Sequence, residues 1–264
     1  MKEVASLRYG VIFKKAFSNP AIFKAFVKDF LDIELEIDKV ETEKSFSPSI
    51  GSVDSRFDLF AEDKKHRTIV DIQHVRSPDH YERFLHYHCA ALLEQVVSSK
   101  DYRPDLKVFT IVVLTSGDKH QVDMSHVDFD LKDRYDRPLG EIPHKILYLC
   151  SKYVSDDTPE PYREWLRAIN DSLDEKVEET DYHLPAIQDI FKLIQKDQTT
   201  PQEYARMKDE YSTELVLAEE YDKGEKKGRK EEALSIARKM KQKGIKPEMI
   251  VEMTGLSEME IEKC

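Results

Sequence analysis

The sequence predicts an α/β fold: a mixed β-sheet with flanking helices. Segments alternate in the order helix, strand pair, helix, buried strand, strand. Residues 108–114 form a continuous apolar run rich in β-branched side chains, the pattern of a central strand covered on both faces. Residues 11–31 carry Phe13, Phe17, Ile22, Phe23, Phe26, Val27 and Phe30 at helical spacing, with a restart expected at Asn19-Pro20. Residues 33–40 alternate apolar and charged side chains, as a short strand or extended entry does, and residues 44–52 read as a loop. Residues 53–61 and 68–75 read as two strands joined by a polar turn at 62–67. Ser77-Pro78-Asp79 supplies the start of a helix running to about Ser99, with Tyr81, Phe84, Leu85, His88, Leu92 and Val96 on its buried face. Residues 145–150 read as a further strand, and 117–141 as a polar excursion. Helical patterns follow at 160–173, 185–196 and 201–221. The expected organisation is a core at 1–155, a helical extension of the same domain at 156–222, and a basic helical tail at 223–264.

With 264 residues, 40% of them hydrophobic, the chain can bury a real core, which excludes global disorder. A net charge of −11 argues against a protein that coats nucleic acid non-specifically, though it leaves room for a local basic patch. Three scattered cysteines without a CxxC pair exclude a disulfide framework and a zinc ribbon, and fit a reducing compartment. The N-terminus has no apolar leader, and no apolar run approaches the ~20 residues a bilayer requires. A soluble, cytoplasmic protein without membrane partners is expected.

The chemistry concentrates in Arg56-Phe57-Asp58-Leu59-Phe60 and Ile69-Val70-Asp71-Ile72-Gln73. Alternate strand residues share a face, so Asp71 and Gln73 point one way while Val70 and Ile72 point to the core. If the strands pair as a hairpin, Asp58 and Asp71 meet at one sheet edge. Two carboxylates there make a hard-oxygen pocket for Mg²⁺ or Mn²⁺, to which the Ile72 backbone carbonyl can add a ligand. Such an ion polarises a phosphate and activates water, and Gln73 would position the reacting groups. The competing reading makes both residues exposed acids on a half-solvated sheet. His86 and His88 are two apart on a helix and point about 200° apart, so one metal cannot take both. His74 is expected to be structural. No P-loop, GxGxxG or GxSxG is present.

These segments, with Tyr9-Gly10-Val11-Ile12-Phe13-Lys14-Lys15-Ala16-Phe17, Arg83-Phe84-Leu85-His86-Tyr87-His88 and Leu93-Glu94-Gln95, resemble the PD-(D/E)XK nuclease family transposases over roughly residues 8–200. This group is also called Rpn-type recombination-promoting nucleases. The resemblance implies a restriction-endonuclease-like sheet, a divalent metal and cleavage of DNA phosphodiesters. Asp58 matches the first acid of the motif, Asp71 the D/E position and Gln73 the last position. This sequence departs twice: Asp71 is shorter than the commoner Glu, and Gln73 lacks the charge of the superfamily's Lys. Arg83 on the following helix is a candidate for that charge. An upstream acid is expected at Glu43, with Glu41 and Asp54 as competitors. Arg83 and Tyr87 share a helix face, and with Gln95 they are candidate phosphate contacts. The alternative is a catalytically weak or inert member that binds DNA or a protein; a structural dimer module is a third option, and a homodimer stays open for the nuclease too.

Residues 223–246 carry ten bases against three acids, a local charge of +7. Lys226, Lys227, Arg229 and Lys230 are its candidate DNA contacts. A helix is expected at 231–243, ending at Gly244. A second starts at Pro247, and a turn through Gly255 leads to Ser257 with Glu260 in capping-box spacing. This resembles a helix-turn-helix fragment, a tail common in the same family. Its last helix, 258–263, is short and acidic, which argues against base readout; a solvated tail is the competing reading.

Overall fold

A computed structural model describes residues 1–46, 55–74, 80–95 and 104–263. Two compact units divide the chain, residues 1–210 and 211–264.

In the first unit, strand β1 (Lys2–Glu3) precedes helices α1 (Gly10–Phe17) and α2 (Pro20–Leu31). The restart between the helices is where Asn19-Pro20 puts it. The Asn19 side chain accepts the Ala21 N–H at 2.9 Å, and Pro20 occupies the first turn, where a missing N–H costs nothing. Residues 33–40 run extended without strand pairing to the other described residues, their apolar side chains buried and their acids exposed.

The sheet strands are β2 (Glu41–Phe46), β3 (Ser55–Glu62), β4 (His66–Gln73), β5 (Lys107–Leu114), β6 (Met124–Asp128) and β7 (Lys145–Cys150). They lie in the order β2-β3-β4-β5-β7-β6. β4, β5 and β7 are parallel, with α3 (His80–Leu93) in the connection from β4 to β5; the other pairs are antiparallel. The sheet is mixed, as the sequence predicts. β5 is its centre: Phe109, Ile111 and Val113 join the core under α1 and α2, while Val112 and Leu114 face α3. Phe13, Phe17, Phe23, Phe26 and Trp165 are fully buried on the first side, each burial contributing about 1.5–3 kcal/mol.

The remaining elements of this unit are α4 (Tyr162–Ser172), β8 (Lys176–Val177) paired with β1, and α5 (Pro185–Leu193). Helix α6 (Pro201–Gln242) begins in it. The second unit holds the rest of α6 with α7 (Pro247–Thr254) and α8 (Glu258–Glu262), packed around Ala237, Ile250, Leu256 and Ile261.

Several expectations need correction. The stretch expected to be a loop from Lys44 onward begins inside edge strand β2; its polar sequence disguises a strand whose ladder to β3 supplies the stability. The polar excursion contains β6, which pairs with β7. Leu85 is 40% exposed, and Ala91 takes its place on the buried face of α3. The helices expected at 201–221 and 231–243 are parts of one helix that runs through Gly224 and Gly228. Val53, Asp54, Val75, the Ser77-Pro78-Asp79 helix start, Val96 and Ser99 lie outside the described residues.

Candidate active site

The β3–β4 hairpin closes through Asp63, whose Oδ1 accepts the N–H groups of Lys65 and His66, both at 2.7 Å. From Glu62 opposite Arg67 to Leu59 opposite Val70, the strands form a regular ladder. At the next position the side chains take over. The Asp58 N–H donates to Asp71 Oδ1 at 2.9 Å, and the Ile72 N–H donates to Asp58 Oδ2 at 3.2 Å. Each strand thus hands a backbone donor to the other strand's carboxylate. Strand alternation also breaks here, because Phe57 and Phe60, three apart, join one apolar cluster while Leu59 and Ala61 join another. This turns Asp58 towards α1 as well as towards Asp71.

The two acids have different surroundings. Asp71 is 4% exposed, and its second oxygen, Oδ2, is buried with no hydrogen-bond partner among the described residues. Burial, and then the charge of Asp58, push its carboxyl well above the usual range. Asp58 is more open, and its Oδ1 accepts from Lys14 Nζ at 3.3 Å. Lys14 also binds Glu43, and Glu43 binds Arg56. Partial burial works against the Lys14 charge, but the carboxylates of Glu43 and Asp58 outweigh it and hold the ammonium above its ordinary value. Burial likewise opposes the charge on Glu43, and Lys14 and Arg56 overcome it.

Gln73 ends β4, where its Oε1 accepts from Arg83 Nη2 at 3.4 Å. Arg83 is exposed on α3 and stacks over Phe84 and Tyr87, 4.7 and 5.9 Å from the ring centroids. Tyr87 packs edge-on against Phe57 and Phe84. The hairpin and α3 therefore bring together Asp58, Asp71, Ile72, Gln73 and Arg83, with Tyr87 as the packing beneath. Gln95 sits at the other end of α3. Its amide donates to the Ala91 carbonyl and accepts the Leu106 N–H, tying α3 to the start of β5. Ala91 also receives Arg67, at the end of β4 away from Gln73, and six residues of strand span about 20 Å.

Glu43 stands opposite Asp58 in the β2–β3 register, between the pairs Thr42–Leu59 and Lys44–Phe57, with a left-handed backbone at φ 59°. It reaches the carboxylate pair through Lys14. Among the described residues, no group of three or more His, Cys, Asp or Glu is arranged to hold a metal ion. The residue that motif reading passed over is Lys14, whose partners stand 29 and 44 positions away in the chain. His86 is exposed and His88 fully buried, which separates them as the helical spacing requires. The His74 ring bonds Thr115 Oγ1 at 2.8 Å.

A family model described as PD-(D/E)XK nuclease family transposase matches residues 9–222. The chain belongs to this family. A second model, the C-terminal HTH domain of the Rpn/YhgA-like nuclease family, matches residues 230–264. No curated protein and no solved structure matches the chain. The sheet with its flanking helices is the restriction-endonuclease-like arrangement of a PD-(D/E)XK nuclease.

PD-(D/E)XK nucleases typically use divalent metals. Mg²⁺ is commonly held by one or two carboxylates, with water and substrate phosphate completing its shell. Asp58 and Asp71 would be the candidates for such a pair, and the buried Asp71 Oδ2, without a hydrogen-bond partner among the described residues, is an oxygen whose charge a cation would compensate. In the HTH segment, Gly255 turns the chain at φ 69°, and the Glu260 carboxylate accepts the Ser257 N–H at 3.0 Å. Lys226, Lys227, Arg229 and Lys230 are exposed on α6 and paired with Asp222, Glu231, Glu225 and Glu260 respectively.

Proposed function

We propose that this protein is a Mg²⁺-dependent (or Mn²⁺-dependent) DNA endonuclease of the recombination-promoting type, acting in the cytoplasm. The observation that supports it is the reciprocally bonded Asp58–Asp71 pair with its buried, uncompensated oxygen. Asp58 and Asp71 would hold the ion, with the Ile72 carbonyl as a further ligand. A divalent ion bound there polarises the phosphate and acidifies a water. In hydrolysis the water oxygen bonds to phosphorus, one phosphorus–oxygen ester bond breaks, and the departing oxygen takes a proton. Gln73 orients the phosphoryl oxygens or the water by hydrogen bonding. Arg83, held beside Gln73 and stacked on Phe84, offers charge to the phosphate from the α3 side.

Plasmid cleavage with Mg²⁺, Mn²⁺ or EDTA, on wild type and Asp58→Ala, tests this reading. Metal-dependent cleavage lost in the variant is expected. Nicked circles indicate a site acting on one strand, and linear product indicates paired sites such as a homodimer provides. A folded wild type that fails to cut with either Mg²⁺ or Mn²⁺ but binds DNA in a salt-sensitive way would select the inert binding-module reading, which the uncharged Gln73 favours.

A further inference from the structure

We propose that Lys14 is the positioned cation of the two-carboxylate site, taking the charge role that Gln73 cannot. This rests on the nuclease reading only for what the charge does to DNA.

The motif's last strand position ends in a neutral amide, and Arg83 reaches that amide rather than either carboxylate. The cation that does touch the pair comes from α1. Lys14 Nζ lies 3.3 Å from Asp58 Oδ1, its side chain only 18% exposed. Three features hold it there. Glu43 grips it from β2 in a left-handed backbone conformation that few non-glycine residues adopt. Arg56 fixes the other Glu43 oxygen. Glu210 caps the first turn of α1, accepting the N–H groups of Gly10 and Val11 at 2.7 and 3.2 Å, and so fixes the start of the helix that carries Lys14 in its next turn. Glu43 is thus a positioning residue for the lysine, not a third metal ligand. A cleft of about 320 Å³ opens beside Lys14, lined also by Arg56 and Arg206. The acids Glu43, Asp209 and Glu210 share that lining, so the three cations are held in place but balanced until a phosphate draws them. A half-buried lysine aimed at one acid of the pair and facing such a cleft is placed to meet phosphate charge as it develops.

Lysine charge can be removed while its donor is kept. With Lys14→Gln, Mn²⁺ binding measured by calorimetry on the full chain should tighten by at least about tenfold, because a cation sharing Asp58 no longer opposes the ion. Cleavage should fall by about 10²-fold. Lys14→Arg should keep wild-type Mn²⁺ affinity. The double variant Lys14→Gln/Gln73→Lys moves the charge to the strand position, and should weaken Mn²⁺ binding again and recover cleavage. A lysine needed only for packing would not be replaced from another element. Unchanged Mn²⁺ affinity in a folded Lys14→Gln overturns the proposal, as does a double variant that behaves like the single one. If wild type cuts nothing, the nuclease reading fails while the Mn²⁺ measurements still decide the role of Lys14. If wild type cuts and Lys14→Gln cuts equally well, the lysine proposal fails alone.

Discussion

Asp71 carries the sharpest conflict between stability and use. Its carboxylate is buried, faces the charge of Asp58, and leaves one oxygen without a hydrogen bond among the described residues. A neutral isostere keeps what the fold needs, since an amide oxygen can still accept the Asp58 N–H, and it removes what the fold resists. Asp71→Asn should therefore melt higher than wild type in metal-free buffer at neutral pH. The gain comes from removing a buried charge that faces Asp58, since the amide N–H groups that replace Oδ2 are no better paired, and each kcal/mol gained shifts the midpoint by about 2–4 °C in a unit of this size. The same variant should lose cleavage and the stabilisation that added Mg²⁺ gives wild type. Differential scanning fluorimetry with and without Mg²⁺ reads both effects. A variant that melts lower would show that the ionised pair is not under strain.

At the level of elements, α3 is anchored by a buried histidine that makes the fold acid-sensitive. His88 is fully buried, bonds Thr110 Oγ1 through Nδ1 at 2.9 Å and stacks on Phe129. Burial, then the neighbouring His144, push its pKa down from 6.5 to about 3. Between those values the unfolded chain binds a proton that the folded chain refuses, so stability is intact above pH 6.5 and declines as the pH falls towards 3. His88→Gln should move the acid-unfolding midpoint, followed by circular dichroism, to lower pH; an unmoved midpoint would assign acid unfolding to other groups. In α6, Gly224 and Gly228 sit mid-helix with open space where a Cβ would go. Alanine at each should stabilise the helix by about 0.5–1 kcal/mol and slow amide exchange around them; faster exchange would mean that these glycines are needed. Those two glycines and the charge shift at Lys223 are also why α6 reads as two helices, although neither residue type forbids a helix. The hairpin was legible because its signal is local, two alternating runs about a polar turn. So was β5, a continuous apolar run. Strand β2 was not, because an edge strand takes its stability from a partner rather than from burying apolar side chains. Lys14 was not, because nothing near it in sequence marks the Asp58 it meets across the fold.

For the molecule as a whole, the charge is divided. Residues 223–246 hold +7 in a chain of −11, which leaves −18 on the rest. A body so acidic repels DNA at long range unless a basic element offsets it. Lys226, Lys227 and Arg229 face water and are paired with exposed acids, each pair worth about 0–1 kcal/mol, so phosphates can displace those acids at little cost. Helix α8, with Glu258, Glu260 and Glu262, brings like charge to the phosphates, which argues against base-edge contacts there, so this segment should bind without reading sequence. Each phosphate contact contributes about 0.9 to the slope of log affinity against log salt. Replacing Lys226, Lys227, Arg229 and Lys230 together by Gln should therefore lower that slope by up to about 3.6. Affinity should fall evenly across unrelated DNA sequences, while metal-dependent cleavage at low salt persists because none of the four stands in the Asp58–Asp71 site. Fluorescence anisotropy over a salt series measures the slope directly. An unchanged slope would make the segment a solvated helix and place the phosphate contacts on the nuclease unit, where Lys14, Arg56, Arg83 and Arg206 are the cations to replace next.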